Sequence, residues 1–283
     1  MEAQYPPALQ SVSLIDKCSI AIRLVVFTNL ALEHSALMKI ALFGYGKMGR
    51  EVEAAANDLG HEIVAKFDID NPATLDALKK SGANVAIDFS LANAVVSNVE
   101  LAASASLPIV IGTTGWDAKM DNVRMTIEKA GIGCVIGSNF SVGVNLFLQI
   151  VRNASMLVNA AGYDAYISEA HHRAKKDFPS GTALRVAEAV LSGLKSKTHI
   201  ASALEQGEAI SPDALLISSI RAGAITGTHT VGFESEDDSI ELTHRAKNRR
   251  GFARGAVQAA EWIVGLKGFY RFEENISEIS AKC

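Results

Sequence analysis

The chain has 283 residues, 48% of them hydrophobic and 20% charged, a globular composition with room for one large domain or two smaller ones. A net charge of -4 gives no global attraction for nucleic acid or an anionic membrane surface, so an anionic ligand would have to be held by a local cluster. The cysteines, Cys18, Cys134 and Cys283, form neither a CxxC pair nor a Cys/His cluster, which argues against a disulfide framework or a structural zinc site and fits a reducing cytoplasm.

Residues 1–37 read as an appended N-terminal extension. Ile20 to Leu32 is apolar but short, and Arg23, Thr28 and Asn29 interrupt it, so it does not read as a membrane span. From Met38 the pattern is that of a domain start. Lys39 to Phe43 is a short apolar run, as in a buried parallel strand, and Gly44-Tyr45-Gly46-Lys47-Met48-Gly49 follows it. A helix then runs to about Leu59 and stops at Gly60. A second strand, Glu62 to Phe67, ends at Asp68. Further alternations follow: Val85 to Phe89 and Ala92 to Ala105, then Pro108 to Ile111 and Asp117 to Ala130, then Gly133 to Ile136. Strands alternating with helices predict a parallel sheet with crossover helices.

The glycine run fits G-x-G-x-x-G between a strand and a helix. Gly44 permits the tight turn, Gly46 lets backbone approach a pyrophosphate, and Gly49 lets helix and strand pack closely. The free N–H groups at the helix start, from Lys47 and Met48 onward, favour phosphate. Asp68, about 20 residues beyond Gly49, stands where an acid bonds ribose hydroxyls. A strand-to-helix turn that merely uses glycine would not need that acid, so dinucleotide binding is the stronger reading. An arginine beside Asp68 would suit a 2′-phosphate, but Ile69 is there. The pair leans toward NADH over NADPH, with Lys47 or Lys66 as substitutes for the missing cation.

After Asn139 the rhythm changes. Val144 to Val158 reads as a long amphipathic helix, Ala165 to Glu169 as a strand, His171 to Pro179 as a polar loop, and Gly181 to Leu194 as a helix. Leu215 to Arg221, Ile225 to Phe233 and Ser239 to Arg245 read as successive strands, with a hairpin turn marked by Gly232 and the acidic run Glu234 to Asp238. Strands without intervening helices predict an open mixed or antiparallel sheet. A helix from about Phe252 to Val264 closes the pattern.

The loop holds five potential cations within six residues: His171, His172, Arg173, Lys175 and Lys176. Ser180 is a candidate N-cap, and the free N–H groups of Gly181 and Thr182 can hold a carboxylate that the helix dipole favours. Lysine and histidine nearby can pair with a second carboxylate and move protons. A solvated basic loop beside a capped helix would need none of this combination, so the loop reads as a site for a small dianion protonated during reaction. Cys134 and Trp262 read as packing residues, and so does Trp116, with the added option of shaping a cofactor pocket. His61 and His244 read as surface or structural.

Residues 169–183 resemble the E-x-H-H-x-x-K-x-D-x-P-S-G-T-A signature of dihydrodipicolinate reductases at every fixed position. Gly112-Thr113-Thr114-Gly115, the run from Ser138 to Asn145, and Phe252-Ala253 with Gly255-Ala256 agree with that family, so the resemblance covers about residues 38 to 270. It implies an α/β fold: a Rossmann-like parallel-sheet nucleotide-binding domain (residues 38–141 plus 252–283) and an α+β substrate and oligomerisation domain with an open mixed sheet (142–251), assembled as a homotetramer. It implies His171 as general acid/base and Lys175 as proton donor, with His172, Ser180, Gly181 and Thr182 on the carboxylates of a small dicarboxylate substrate. Gly112, Thr113 and Thr114, with Gly137, Ser138, Asn139 and Phe140, would line the nicotinamide end of NADH or NADPH, and Arg249 would lie near the hinge. No metal is implied. The competing readings are another two-domain dehydrogenase of amino-acid metabolism, of the aspartate or homoserine type, and a nucleotide-binding sensor with a dead second domain.

Overall fold

The computed structural model describes residues 37–202, 207, 209–248 and 250–281. The expectations for residues 1–36, Arg249, Cys18 and Cys283 lie outside them.

The first half builds β1 (Lys39–Phe43), α1 (Lys47–Asp58), β2 (Glu62–Phe67), α2 (Leu75–Lys80), β3 (Val85–Asp88), α3 (Val95–Ser104), β4 (Ile109–Ile111), α4 (Met120–Ala130) and β5 (Gly133–Ile136). These strands and a late strand, β11 (Gly268–Arg271), form one six-stranded sheet in the order β11-β5-β4-β3-β1-β2, and every pairing is parallel. Strands buried on both faces must be apolar throughout. Accordingly Ile40, Ala41, Leu42 and Phe43 are all buried, with alternate residues facing the two core clusters on either side of the sheet. The strand order reverses between β1 and β3, the place where such sheets open a crevice at their carboxyl ends. The arrangement is Rossmann-like, as expected.

The second half gives α5 (Val142–Asn159), β6 (Asp164–His171), α6 (Gly181–Gly193), β7 (His199–Ala201), β8 (Ala214–Arg221), β9 (Thr228–Glu234) and β10 (Ser239–Arg245). Their sheet, in the order β10-β9-β6-β8-β7, is mixed: β6, β7 and β8 run parallel, while β9 is antiparallel to both β6 and β10. Phe147 and Val151 of α5 and Val186 and Val190 of α6 pack with Ile167, Ile217, Val231 and Phe233 from one face of this sheet. Then α7 (Arg250–Ile263) packs against α1 and the first sheet, and α8 (Ile276–Ala281) follows β11.

Three sequence expectations need correction. His171 is not in a loop but is the last residue of β6, paired with Arg221. Gly232 lies within β9, not at its turn; a side chain there would collide with the Tyr166 ring, so the glycine is required by a cross-strand aromatic. The strand expected from Ile225 starts at Thr228. Four short elements, α2, β7, β11 and α8, had no periodicity long enough to be recognised; neighbours in the fold hold them instead.

Candidate functional site

At the carboxyl ends of β1, β2 and β3 lies a cavity of about 560 Å³, lined by Gly44, Tyr45, Gly46, Asp68, Phe89 and Leu101 among others. Its floor is fixed by the glycines. A Cβ on Gly44 would lie 2.3 Å from the Phe89 carbonyl oxygen, and one on Gly49 would lie 2.3 Å from that of Gly44. A Cβ on Gly46 would meet nothing within 4 Å. The first and third glycines therefore serve packing, and the second leaves open space over the N-terminus of α1, where Lys47, Met48 and Gly49 form the first turn. That is the fit a dinucleotide pyrophosphate requires.

Asp68 lines the cavity, and its Oδ1 accepts from the Asp70 and Asn71 amides, both at 3.0 Å. Lys66 does not serve as a free cation beside it. Its Nζ lies 2.6 Å from Glu53 Oε1 and 3.2 Å from the Tyr45 hydroxyl, and Tyr45 also donates to Glu53. Glu53 and Tyr45 hold the lysine pKa above its ordinary value, and Lys66 and Tyr45 hold the Glu53 carboxyl below its own.

One buried acid that sequence reading missed organises the next loops. Asp88, at the end of β3, accepts from Ser90, from Asn98 Nδ2 at 2.9 Å and from the Thr113 hydroxyl at 2.7 Å. Thr113 is thus tied down by its side chain, and its carbonyl accepts from Trp116 Nε1 at 2.7 Å. Trp116 is buried and braces the loop that carries Gly112 and Thr114. Gly112, Ser138, Asn139 and Phe140 line a second, smaller cavity with Met48. The turn from Gly137 to Phe140 is braced by Asn145, whose Nδ2 donates to the carbonyls of Asn139 and Ser141, both at 2.9 Å. From the other half, Arg185 of α6 reaches Ser138 Oγ and Asn145 Oδ1, each at 3.5 Å.

The second sheet contributes a buried ionic cluster. Strand alternation puts Glu169 and His171 on one face of β6, and register brings Arg221 of β8 and His229 of β9 to the same end. Glu169 is fully buried; one carboxylate oxygen bonds His171 Nδ1, and the other accepts from Arg221 at 2.6 Å. The same guanidinium nitrogen donates to the Asp177 carbonyl at 2.6 Å. Burial alone would raise the Glu169 pKa, but hydrogen bonds from Arg221, Ser219 and His171 outweigh it and hold the group below its ordinary value. Burial pushes the His171 imidazole down despite the pull of Glu169, and pushes His229 down to about 4. Glu169, His171 and His229 bring potential metal-ligand atoms within 4.8 Å of one another. Arg221 already occupies Glu169 and puts positive charge there, so the cluster suits proton handling better than a cation.

Lys175 is half-buried and bonds both oxygens of Asp177, at 2.8 and 2.9 Å, which holds the Asp177 pKa low. Ser180 is the N-cap of α6, as expected: its Oγ accepts from the Ala183 amide at 3.1 Å and lies 3.2 Å from His229 Nε2. Gly181 and Thr182 form the first turn behind it, and His172 follows the end of β6. His61, read from the sequence as surface or structural, is buried in a structural role: Nδ1 accepts from the Met38 amide and Nε2 lies 2.8 Å from Glu261. Cys134 is buried in β5, and burial holds its thiol well above the ordinary value.

A crevice at the switch point of a parallel sheet, together with a buried cluster of titratable groups on a second sheet, fits the class of two-part dinucleotide-dependent oxidoreductases. Residues 38–140 match the family model described as dihydrodipicolinate reductase, N-terminus, and residues 143–276 the one described as dihydrodipicolinate reductase, C-terminus. The chain is 39% identical over 239 residues to a 4-hydroxy-tetrahydrodipicolinate reductase of Methanosarcina mazei, covering 83% of this chain and 88% of that one. It is 37% identical over 243 residues to one of Christiangramia forsetii, covering 86% and 99%. A dipicolinate-bound dihydrodipicolinate reductase from Paenisporosarcina sp. TG-14 superposes with a TM-score of 0.67 at 25% identity, covering 84% of this chain and 99% of that one. The chain belongs to the dihydrodipicolinate reductase family.

Proposed function

We infer that this chain reduces 4-hydroxy-tetrahydrodipicolinate to tetrahydrodipicolinate at the expense of a nicotinamide cofactor, in the diaminopimelate route to lysine. The observation that carries this is the match of both halves to one reductase family, over residues 38–276 with a break of two residues. A relative that holds dipicolinate, a flat ring with two carboxylates, supports a small dicarboxylate as substrate.

When bound, the nicotinamide cofactor supplies the hydride. Gly44, Tyr45, Gly46, Lys47, Met48 and Gly49 would hold its phosphates, Asp68 a ribose, and the 112–114 and 137–140 loops its nicotinamide end. The N–H groups of Gly181 and Thr182, with His172, would clamp the substrate carboxylates and orient the ring, and Ser180 fixes that helix end. As reduction drives negative charge toward the ring nitrogen, the Lys175 ammonium stabilises it and gives up a proton, with His171 as acid/base partner. Water is lost in the same overall reaction.

NADH is the favoured cofactor, because Asp68 repels a 2′-phosphate and Lys66 is neutralised by Glu53. The same reading sets domain limits at 38–141 plus 252–283 and at 142–251, with residues 1–37 dispensable; the presence of two separate sheets supports it. The outer face of the second sheet carries Tyr166, Leu216 and the half-exposed Ile220, and supports assembly into a homotetramer. A cytoplasmic location suits this metabolism; among the described residues no helix is long and apolar enough to cross a membrane.

The test is a coupled assay in which aspartate semialdehyde, pyruvate and a synthase generate the unstable substrate while NADH or NADPH is followed optically. Cofactor oxidation that requires the synthase is the expected result. Cofactor binding without oxidation would instead make the chain a sensor.

A further inference from the structure

The Glu169–Arg221 pair has no place in the mechanism above, yet it is bonded on both sides, to His171 and to the Asp177 carbonyl. Glu169 is fully buried, and both its oxygens are occupied: one by His171 Nδ1, the other by Arg221. Ionised, Glu169 can only accept hydrogen bonds. Nδ1 of His171 must therefore carry the hydrogen in that contact. In the neutral ring this leaves Nε2 with its lone pair.

The surroundings of Nε2 are also specific. Gly227 approaches so closely that a Cβ there would lie 3.0 Å from Nε2, so a side chain at 227 would cover it. The His229 ring stands edge-on to the His171 ring, with centroids 5.2 Å apart. Arg221 has a second task. The nitrogen that holds Glu169 also donates to the Asp177 carbonyl, and the Asp177 side chain in turn bonds Lys175. One guanidinium thus connects the strand that carries His171 to the loop that carries Lys175.

We propose that Glu169 and Arg221 are positioning residues, which fix His171 in the Nδ1–H tautomer with Nε2 facing the reacting ring and set the Lys175 loop relative to it. This rests on the reductase reading above. The groups that face His171 are Glu169 of β6, Arg221 of β8, His229 of β9 and Lys175 of the following loop; of these only Glu169 favours the imidazolium. Replacing Glu169 by glutamine removes that charge and lets an amide N–H face Nδ1, which favours the other tautomer.

The experiment has two parts. In ¹⁵N-histidine-labelled protein, with His171 assigned by comparison with His171→Gln, long-range proton–nitrogen correlation at neutral pH should show a protonated Nδ1 and a bare Nε2. Glu169→Gln should lose that pattern. Its kcat should fall about 10- to 100-fold, the usual scale for losing a group that orients a reacting side chain, while NADH affinity stays close to wild type. The acid limb of its pH profile should move to lower pH, because the imidazolium has lost its carboxylate, and Glu169→Asp should restore part of the rate. If Glu169→Gln does not fold, Arg221→Gln takes its place in the kinetic arm, with the same loss of kcat expected. A wild-type His171 protonated on Nε2, or an unchanged kcat and acid limb in the variant that folds, overturns the proposal. Failure of the reductase reading would appear separately, as no cofactor oxidation by the wild type while the tautomer measurement still stands.

Discussion

His171 and Lys175 sit four residues apart in sequence but are governed by different neighbours. Burial pushes the His171 pKa below its ordinary value, while Lys175 pairs with the Asp177 carboxylate. If these residues move the proton, His171→Ala and Lys175→Ala should each cut turnover by about a hundredfold or more, the scale of lost acid/base catalysis. NADH affinity, measured by fluorescence, should hardly change, since neither residue lines the cavity at the carboxyl ends of β1, β2 and β3. Near-normal turnover in both variants would end the assignment. The cofactor preference is also a residue-scale matter. The expected ratio of kcat/KM favours NADH or is equal, and Glu53→Gln should raise the NADPH share by releasing Lys66. A half-exposed ion pair is worth at most about 1 kcal/mol, so the gain should be about fivefold or less. A strong NADPH preference in the unaltered protein would show that a lysine such as Lys47 overrides Asp68.

At the scale of elements, the site depends on close backbone contact between α7 and the turn after β5. A Cβ on Gly255 would lie 1.7 Å from the Phe140 carbonyl oxygen. Phe140 packs in turn on Phe272 and Phe89, with centroids 4.7 and 6.3 Å apart. Gly255→Ala must push α7 away or displace that turn, at a cost of about 1 to 3 kcal/mol for overpacking. The expected result is a lower denaturant midpoint together with weaker NADH binding, because Phe140 and its neighbours line the smaller cavity. An unchanged midpoint would mean that the helix and the turn separate freely. The extension of β6 to His171 matters for the same reason: two-residue alternation alone puts Glu169 and His171 on one face, which a loop would not.

On the scale of the whole molecule, the chain returns to its first sheet at the end. α7 packs on α1, and β11 pairs with β5 at the sheet edge. The first strand is anchored from Met38 onward: Met38 is buried, and its carbonyl accepts from the Glu62 amide at 2.9 Å. A chain begun at Met38 is therefore expected to fold, assemble and turn over like the full chain, with the same number of subunits by light scattering. Aggregation or loss of activity would make residues 1–37 a docked structural element.

By itself the sequence determined whatever is written in local periodicity and local chemistry. Apolar runs ending in glycine specified the parallel strands, the spacing of Gly44, Gly46 and Gly49 specified the tight turn into α1, and Ser180 before Gly181 specified a capped helix start. Those signals need only neighbours a few residues away, and the family signature lies in the same short segments. Tertiary structure alone decided which charges meet. Glu53 and Lys66, Asp88 and Thr113, and above all Glu169, Arg221 and His229 come from separate elements; the fold, not sequence spacing, pairs the first four and gathers the last three at one end of the second sheet. Burial then lowered the pKa of His171 and His229, because the cost of removing a charge from water depends on what the fold places around it.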